Sequence, residues 1–178
     1  MRKFTIFLSC LFLLAGCNNN ESSTASEAKS DPSRTAITYA YTPEEMPNWE
    51  IGNPEHVAFV LNALKKYETG KVDELREFFA DSVSVSDDGF EFNGTRDSLI
   101  SLFKKDWDKT ASISIEMHDW EVVHGKDNKE DWVSLWYKSV WKGKDGKVDS
   151  AFYMDDVKIV DGKIRILDTK KRRYPAKK

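Results

Sequence analysis

The segment YETGKVDELREFFADSVSVSDD, residues 67–88, contains the transition that decides the fold. A helix that begins just after Gly70 would place four apolar residues on one side, namely Val72, Leu75, Phe78 and Phe79. From residue 82 to residue 86, serines alternate with two valines, which is the pattern of a short half-buried strand. Asp88 and Gly89 then favour a turn. The segment therefore predicts a helix that leads directly into a strand.

Two further helices are predicted on either side of this segment. Upstream, Asn53 is a good N-cap and Pro54 suits the first helical position. Apolar residues then recur at helical spacing until Gly70, at Val57, Val60, Leu61, Leu64 and Tyr67. Downstream, Thr95 can cap a third helix, whose apolar stripe would be Leu99, Ile100, Phe103 and Trp107.

From Ala111 onward the sequence changes to four strand-like runs, at residues 111–124, 131–142, 148–160 and 163–169. The turn-rich stretches GKDNKE, GKDG and DG separate these runs, and such short links favour an antiparallel meander. The sequence therefore predicts an α+β domain. Three N-terminal helices would pack on the concave face of one curved antiparallel sheet, because that arrangement buries both sets of apolar stripes.

The order helix, helix, short strand, helix and long meander resembles the nuclear transport factor 2-like superfamily, which includes SnoaL-like proteins and ketosteroid isomerases. The stretches that carry the resemblance are residues 67–88, FNGTRDSLISLF (residues 92–103) and VKIVDGKIRIL (residues 157–167). The resemblance covers residues 53–172. It implies a cone-shaped half-barrel around a mostly apolar pocket, often in a homodimer, and this fold hosts both enzymes and binding modules.

The resemblance also implies positions for catalytic residues. In ketosteroid isomerases a general base follows the short strand, where this sequence has Asp87, and a protonated aspartate precedes the closing hairpin, where it has Asp155. The tyrosine that this family carries on its first helix is replaced by Ala63, and the nearest phenol is Tyr67, one turn later. A weaker oxyanion site costs transition-state stabilisation. The alternative is that Asp87 is a turn residue and Asp155 a solvated strand residue.

Aromatic residues give candidates for the lining of a pocket. Along a strand, neighbouring residues point to opposite faces, so Trp136 and Tyr137 belong to different faces of the sheet. One aromatic set would fill the core and line a pocket, while the other would cover a homodimer interface or lie partly exposed. The candidate pocket residues are Tyr67, Trp107, Trp120, Trp136, Tyr137 and Tyr153.

The N-terminus has the features of a secretory signal. Arg2 and Lys3 precede an apolar run from Phe4 to Leu14, which is too short to span a bilayer. The run ends in Leu-Ala-Gly-Cys17, which resembles a bacterial lipobox. The resemblance implies a signal peptide at residues 1–16, cleavage before Cys17, and lipid attachment to its thiol in the cell envelope, with the outer membrane favoured. A buried N-terminal helix is the alternative.

The chain then divides into two predicted parts. Residues 17–52 begin with a polar, Asn- and Ser-rich tether and continue as an aromatic and proline-containing linker. Residues 53–178 form the folded domain and end in a basic tail. The formal net charge is −3, and the body of the domain is acidic, which argues against a nucleic-acid partner. The three histidines lack the spacing of common zinc sites, so we predict no metal and no cofactor.

These features predict a membrane-anchored lipoprotein whose domain binds a small, largely apolar ligand or a protein partner without catalysis. The alternative is an isomerase or cyclase that uses Asp87 as its general base. The binding module requires only the aromatic pocket, whereas the enzyme requires a buried acid with a raised pKa at Asp155.

Overall fold

The computed structural model describes residues 40–41 and 48–173. Residues 48–173 form one sheet with helices packed against it. Its strands are β1 (Trp49–Ile51), β2 (Phe79–Asp87), β3 (Phe90–Thr95), β4 (Thr110–Gly125), β5 (Asp131–Gly143), β6 (Val148–Val160) and β7 (Lys163–Arg173). The helices are α1 (Pro54–Glu68), a 3-10 helix (Val72–Glu77) and α2 (Arg96–Trp107). The curved sheet and the helices confirm the predicted α+β class.

The strand order in the sheet is β1-β4-β5-β6-β7-β2-β3. The meander from β4 to β7 is antiparallel, as its short links predict. The sheet as a whole is mixed, because β2 pairs with β7 in parallel. The hairpin partner of β2 is β3, which leaves the other edge of β2 free to extend the meander. The prediction of a purely antiparallel sheet is therefore wrong at this one pair.

The helices begin and end where the local chemistry indicates. The side chain of Asn53 accepts a hydrogen bond from the Glu55 amide at 2.9 Å, and the side chain of Thr95 accepts one from the Ser98 amide at 3.3 Å. Gly70 follows α1 with a φ of +74°, which suits glycine at a helix end. The second predicted helix is a 3-10 helix, because only a few residues separate Gly70 from β2.

Two short strands add to the predicted elements. Residues 90–95 form β3, which pairs with β2 in a hairpin through the predicted turn at residues 88–89. β1 lies inside the segment that the sequence predicts as a linker, and it pairs with the end of β4. Thus the predicted order of helix, helix, short strand and helix becomes α1, a 3-10 helix, the hairpin of β2 and β3, and α2.

The core lies between the helices and one face of the sheet. Its most deeply buried large side chains come from α2, the 3-10 helix and the central strands, namely Leu99, Ile100, Leu75, Val133, Leu135 and Val157. Within residues 48–173, none of the helices has the length and apolar character needed to cross a membrane. Residues 1–16, Cys17, the tether and residues 174–178 of the basic tail lie outside the described residues.

Candidate active site

A cavity of about 230 Å³ lies between the helices and the sheet. Most of its lining is apolar and comes from α1, α2 and the strands β5 to β7. Six side chains bring oxygen atoms to it from different elements: Tyr67 of α1, Asp87 at the end of β2, Asp106 of α2, the pair Tyr137 and Asp155 from neighbouring strands, and Thr169 of β7. The cavity therefore combines an apolar body with a few polar groups, as small-molecule sites do.

The strand register explains why the polar groups meet. Tyr137 lies opposite Tyr153 across β5 and β6, and Asp155 lies opposite Thr169 across β6 and β7. Lys171 lies opposite Tyr153 in the same way. Because residues two apart on a strand share a face, all five side chains belong to the face that carries the cavity.

Asp155 is the buried carboxyl group of this site, and only 5% of the residue is exposed. Its Oδ2 accepts a hydrogen bond from the Tyr137 hydroxyl at 2.8 Å, and its Oδ1 accepts one from the Thr169 hydroxyl at 2.8 Å. Burial raises the pKa of Asp155 to about 6, the two hydrogen bonds oppose this, and repulsion from Asp87 and Asp156 adds to it. Asp155 can therefore take up or release a proton near neutral pH.

Asp87 is the second carboxyl group, and it lies where the cavity opens outward. Lys171 of β7 approaches its two carboxylate oxygens at 3.1 and 3.3 Å. The ammonium group of Lys171 also lies 5.8 Å from the centre of the Tyr153 ring. The side chain of Lys171 is only 14% exposed. The ion pair is thus shielded from solvent on its Lys171 side, and it differs from a fully solvated surface pair.

Tyr67 is the third group with a possible role in proton chemistry. Burial, followed by the charges of Asp106 and Asp87, raises the pKa of Tyr67 to about 12. Its hydroxyl therefore remains a proton donor at neutral pH. Within residues 48–173 it forms no hydrogen bond with another side chain or with the backbone, so it is available to a bound molecule. Ala63, one turn earlier on α1, lines the same cavity.

A second, more open cavity of about 740 Å³ adjoins the first, and both share Tyr67, Asp87 and Asp106. Its other lining residues are mainly polar or aromatic: Lys109, Thr110, Ser139, Trp141, Lys144, Asp145 and Tyr153. Tyr153 stacks on Tyr137, with ring centres 5.3 Å apart and an angle of 8° between the planes. Burial is the main cause of the raised pKa of both phenols. The outer cavity gives a polar entrance to the apolar one.

The structure distributes the predicted aromatic residues among different environments. Tyr67 and Tyr137 line the inner cavity, and Tyr153 lines the outer one. Trp107 packs against the Tyr67 ring, with centres 6.3 Å apart, and lines neither cavity. Trp136 lies on the opposite face of the sheet from Tyr137, and Trp120 lines a shallow depression on the other side of α1.

Two of the histidines share one carboxylate. Nδ1 of His124 lies 2.9 Å from Oδ1 of Asp131, and Nδ1 of His56 lies 3.9 Å from the same oxygen. His118 instead packs edge-on against Phe152. Within the described residues, no group of three or more His, Cys, Asp or Glu side chains has an arrangement that could hold a metal ion.

Sequence reasoning did not identify Thr169 and Lys171 as site residues. Lys171 belongs to the run of basic residues that the sequence predicts as a basic tail. The signal that could have found both is the period of two along β7, because Leu167, Thr169 and Lys171 continue one face of the strand. That pattern is visible only when the strand is extended beyond residue 169.

No protein-family model matches the chain, and no curated protein matches it. Solved structures do match its fold. An LEH-like epoxide hydrolase of M. tuberculosis superposes with a TM-score of 0.57 at 14% identity, covering 72% of this chain and 83% of that one. An epoxide hydrolase/cyclase-like enzyme with a role in pyran ring formation in the polyether salinomycin superposes with a TM-score of 0.53 at 18% identity. The match covers 66% of this chain and 91% of that one. An NTF2-like protein of unknown function from Exiguobacterium sp. 255-15 superposes with a TM-score of 0.53 at 17% identity. The match covers 64% of this chain and 98% of that one.

Proposed function

The chain has the nuclear transport factor 2-like fold, and we propose that it is an acid–base enzyme, of the isomerase or cyclase kind, for a small and largely apolar substrate. The observation that carries the proposal is the carboxyl group of Asp155, buried in the wall of an apolar cavity with a pKa raised to about 6. A module that only binds apolar ligands gains nothing from a buried ionisable group, since burying a charge is costly.

The two carboxyl groups have unequal environments, which is how paired acids acquire different roles. Asp155 is buried and hydrogen-bonded by two hydroxyls, whereas Asp87 is half-buried and paired with Lys171. In the proposed reaction Asp87 removes a proton from the carbon next to a substrate carbonyl. Protonated Asp155 donates a hydrogen bond to the oxygen on which negative charge develops, and the proton on Asp87 then returns to the substrate at another carbon.

Tyr67 is the second donor in this proposal. Its hydroxyl is available and retains its proton, because the pKa of Tyr67 is raised to about 12. Tyr67 would take the role of the helix-1 tyrosine of ketosteroid isomerases. The position of that tyrosine corresponds to Ala63, one turn earlier on the same helix. Two solved structures that share the fold, the epoxide hydrolase and the cyclase-like enzyme, are described as enzymes, and this adds support for a catalytic use of the cavity.

The test is deuterium exchange from solvent into a panel of cyclic ketones and enones. We expect Asp87→Asn to slow exchange by about 10²–10⁴-fold, because a positioned base contributes that much. Asp88→Asn is the matched control, since Asp88 is the adjacent, exposed residue. The wild-type rate should fall as the pH rises through about 6, when Asp155 loses its proton. Binding of panel members to the wild type without any exchange would contradict the enzyme and support a pure binding module.

We also propose that the chain is anchored to a membrane of the bacterial cell envelope by lipid on Cys17. The support is sequence alone: two basic residues, a short apolar run and Leu-Ala-Gly before the cysteine. Acyl chains contribute about 0.8 kcal/mol per buried methylene, so two or more give stable anchoring. Cys17→Ser should move the protein from the detergent phase to the aqueous phase, whereas Cys10→Ser should not. An unchanged detergent fraction for Cys17→Ser would contradict the anchor.

A further inference from the structure

A cluster of exposed apolar side chains lies on the far side of α1 from the cavity. Trp49 and Ile51 of β1 are 43% and 90% exposed, and Trp120 of β4 is 51% exposed. All three line one shallow depression, whose base is formed by apolar residues of α1 and β4 that include Leu61 and Val122. By register Trp49 and Ile51 share a side of the sheet with Gly125 and Val123, whereas Trp120 shares the other side with Leu135, so the depression wraps around the β1 edge. We call Trp49, Ile51 and Trp120, which surround this edge, the aromatic face.

The aromatic face is built into the fold. The Gly52 amide donates to the Val122 carbonyl at 3.0 Å, and the Lys126 amide donates to the Asn48 carbonyl at 2.9 Å. These bonds hold β1 to the edge of the sheet, so its side chains are presented outward by a fixed backbone. The other large exposed apolar residues of 48–173, Phe90, Val148 and Val160, lie at separate turns and do not share this depression. Clustered exposed apolar residues mark interaction surfaces, whereas scattered ones do not.

The course of the chain indicates what covers the aromatic face. β1 is the first strand of the domain, so the segment from Cys17 enters the domain at this face. Residues 18–48 span at most about 110 Å when fully extended, so the domain stays within that distance of the bilayer that holds the anchor. The anchor holds a high local concentration of lipid around the domain, so an apolar contact that is weak by itself is sufficient to dock it.

We infer that the aromatic face docks on the interface of the phospholipid leaflet that carries the anchor, and this inference rests on the proposed lipid attachment at Cys17. Tryptophan suits that position, because its ring is apolar and its N–H remains hydrogen-bonded among headgroups. The charged neighbours favour a zwitterionic headgroup layer, which has no net charge. Glu50 is paired with Lys126 at 3.0 Å, and Glu121 adds a negative charge, so the face lacks the basic cluster that anionic lipid requires.

The experiment uses the full lipidated protein in vesicles of phosphatidylethanolamine and phosphatidylcholine that carry brominated acyl chains. Bromine on acyl carbons near the ester end quenches only tryptophans that reach just below the headgroups, and the chain has six tryptophans. We expect quenching in the wild type that Trp49→Phe with Trp120→Phe abolishes, since phenylalanine keeps the face apolar but removes the quenched rings. Trp132→Phe with Trp136→Phe is the matched control, and it should retain the quenching.

A second variant tests docking itself. Ile51→Glu places a charge on the most exposed residue of the aromatic face and should abolish quenching, while circular dichroism stays unchanged because the side chain is not part of the core. Protein that sediments with the vesicles but shows no quenching would overturn the inference and leave the anchor intact. Loss of sedimentation only in Cys17→Ser supports the anchor independently. A dimer that Ile51→Glu dissociates, without quenching in the wild type, would show instead that a second copy covers the face.

Discussion

The hydroxyl of Tyr137 lies 2.8 Å from Oδ2 of Asp155 on the neighbouring strand and donates a hydrogen bond to it. Thr169 donates to the other oxygen of the same carboxyl group. Both bonds stabilise the charged form and oppose the effect of burial. The pKa of Asp155, raised to about 6, is thus the outcome of competing effects that can be changed separately.

Tyr137→Phe should raise the pKa of Asp155 further. The substitution removes one of the two hydrogen bonds to the carboxylate but leaves the ring and the burial in place. The measurement is an NMR titration of the labelled aspartate carboxyl carbons. Tyr153→Phe is the control, because Tyr153 stacks on Tyr137 without bonding to Asp155. An Asp155 titration that is the same in Tyr137→Phe and wild type would contradict the assigned role.

Asp155→Asn should alter how stability depends on pH. The folded-state pKa of Asp155 is about 6 against an ordinary 3.8, so the folded protein holds this proton more tightly than the unfolded chain. The stability this proton contributes is complete below about pH 4 and is lost as the pH rises to about 6, amounting to about 3 kcal/mol. Relative to wild type, the variant should therefore gain about 3 kcal/mol between pH 4 and pH 7 in urea unfolding. A constant difference across this range would contradict the prediction.

Ala63→Leu should close the inner cavity. Ala63 lines that cavity and is 5% exposed, so the added methylene groups can enter only the space that a substrate would occupy. We expect binding of panel ligands to weaken by more than tenfold, while the loss of stability stays below the upper end of the usual overpacking cost, about 3 kcal/mol, because the cavity accommodates the added carbon atoms. Ala58→Leu is the matched control on the exposed side of the same helix. Titration calorimetry would measure the binding, and scanning calorimetry would measure the stability. Undiminished binding in Ala63→Leu would show that the ligand binds outside the inner cavity.

Asp161→Val should destabilise the closing hairpin. Asp161 has a φ of +51°, a region that short polar side chains tolerate and β-branched ones do not. The expected loss is about 1–2 kcal/mol, detected as a lower melting temperature. Asp161→Asn should be nearly neutral, because asparagine also adopts this conformation. Equal melting temperatures for the two variants would contradict the prediction.

A dimer remains the expected state of the domain. On the sheet face opposite the cavity, Phe152 lies between the His118 ring and the Arg172 guanidinium, and Trp136 lies opposite Met154 on the neighbouring strand. Such a face is typical of subunit contacts. Light scattering of Cys17→Ser protein should give twice the chain mass, and Phe152→Glu should reduce it to one chain. If the Cys17→Ser protein without Phe152→Glu is a monomer, this assignment is contradicted.

The sequence was sufficient to predict most of the fold, because its signals are local. Asn53, Thr95 and Gly70 fix helix ends through hydrogen bonds and backbone conformation within a few residues, and the structure has those ends. Short polar links fix antiparallel neighbours in the same way. The parallel contact between β2 and β7 was missed, because nothing near either strand specifies a partner so distant along the chain.

The site was predictable only in part, for the same reason. The fold resemblance placed Asp87 and Asp155 at their positions, and the structure puts both in the wall of one cavity. The partners of these carboxyl groups, Thr169 and Lys171, come from a strand whose last residues read as a charged tail. Which residues of β7 become partners of the two carboxyl groups depends on the register of β7 against its neighbouring strands. That register is set only in the assembled sheet, so the local sequence does not predict it.

The parallel pairing of β2 with β7 has a consequence for the order in which the molecule folds. Ser84 pairs with Ile166, so the hairpin of β2 and β3 cannot join the sheet until β7 is available for pairing. Long-range pairing of this kind slows folding, because the loop must close before the contacts repay its entropy. β7 also supplies Thr169 and Lys171, the partners of Asp155 and Asp87, so chains that end before β7 should lack both the mixed sheet and these two contacts.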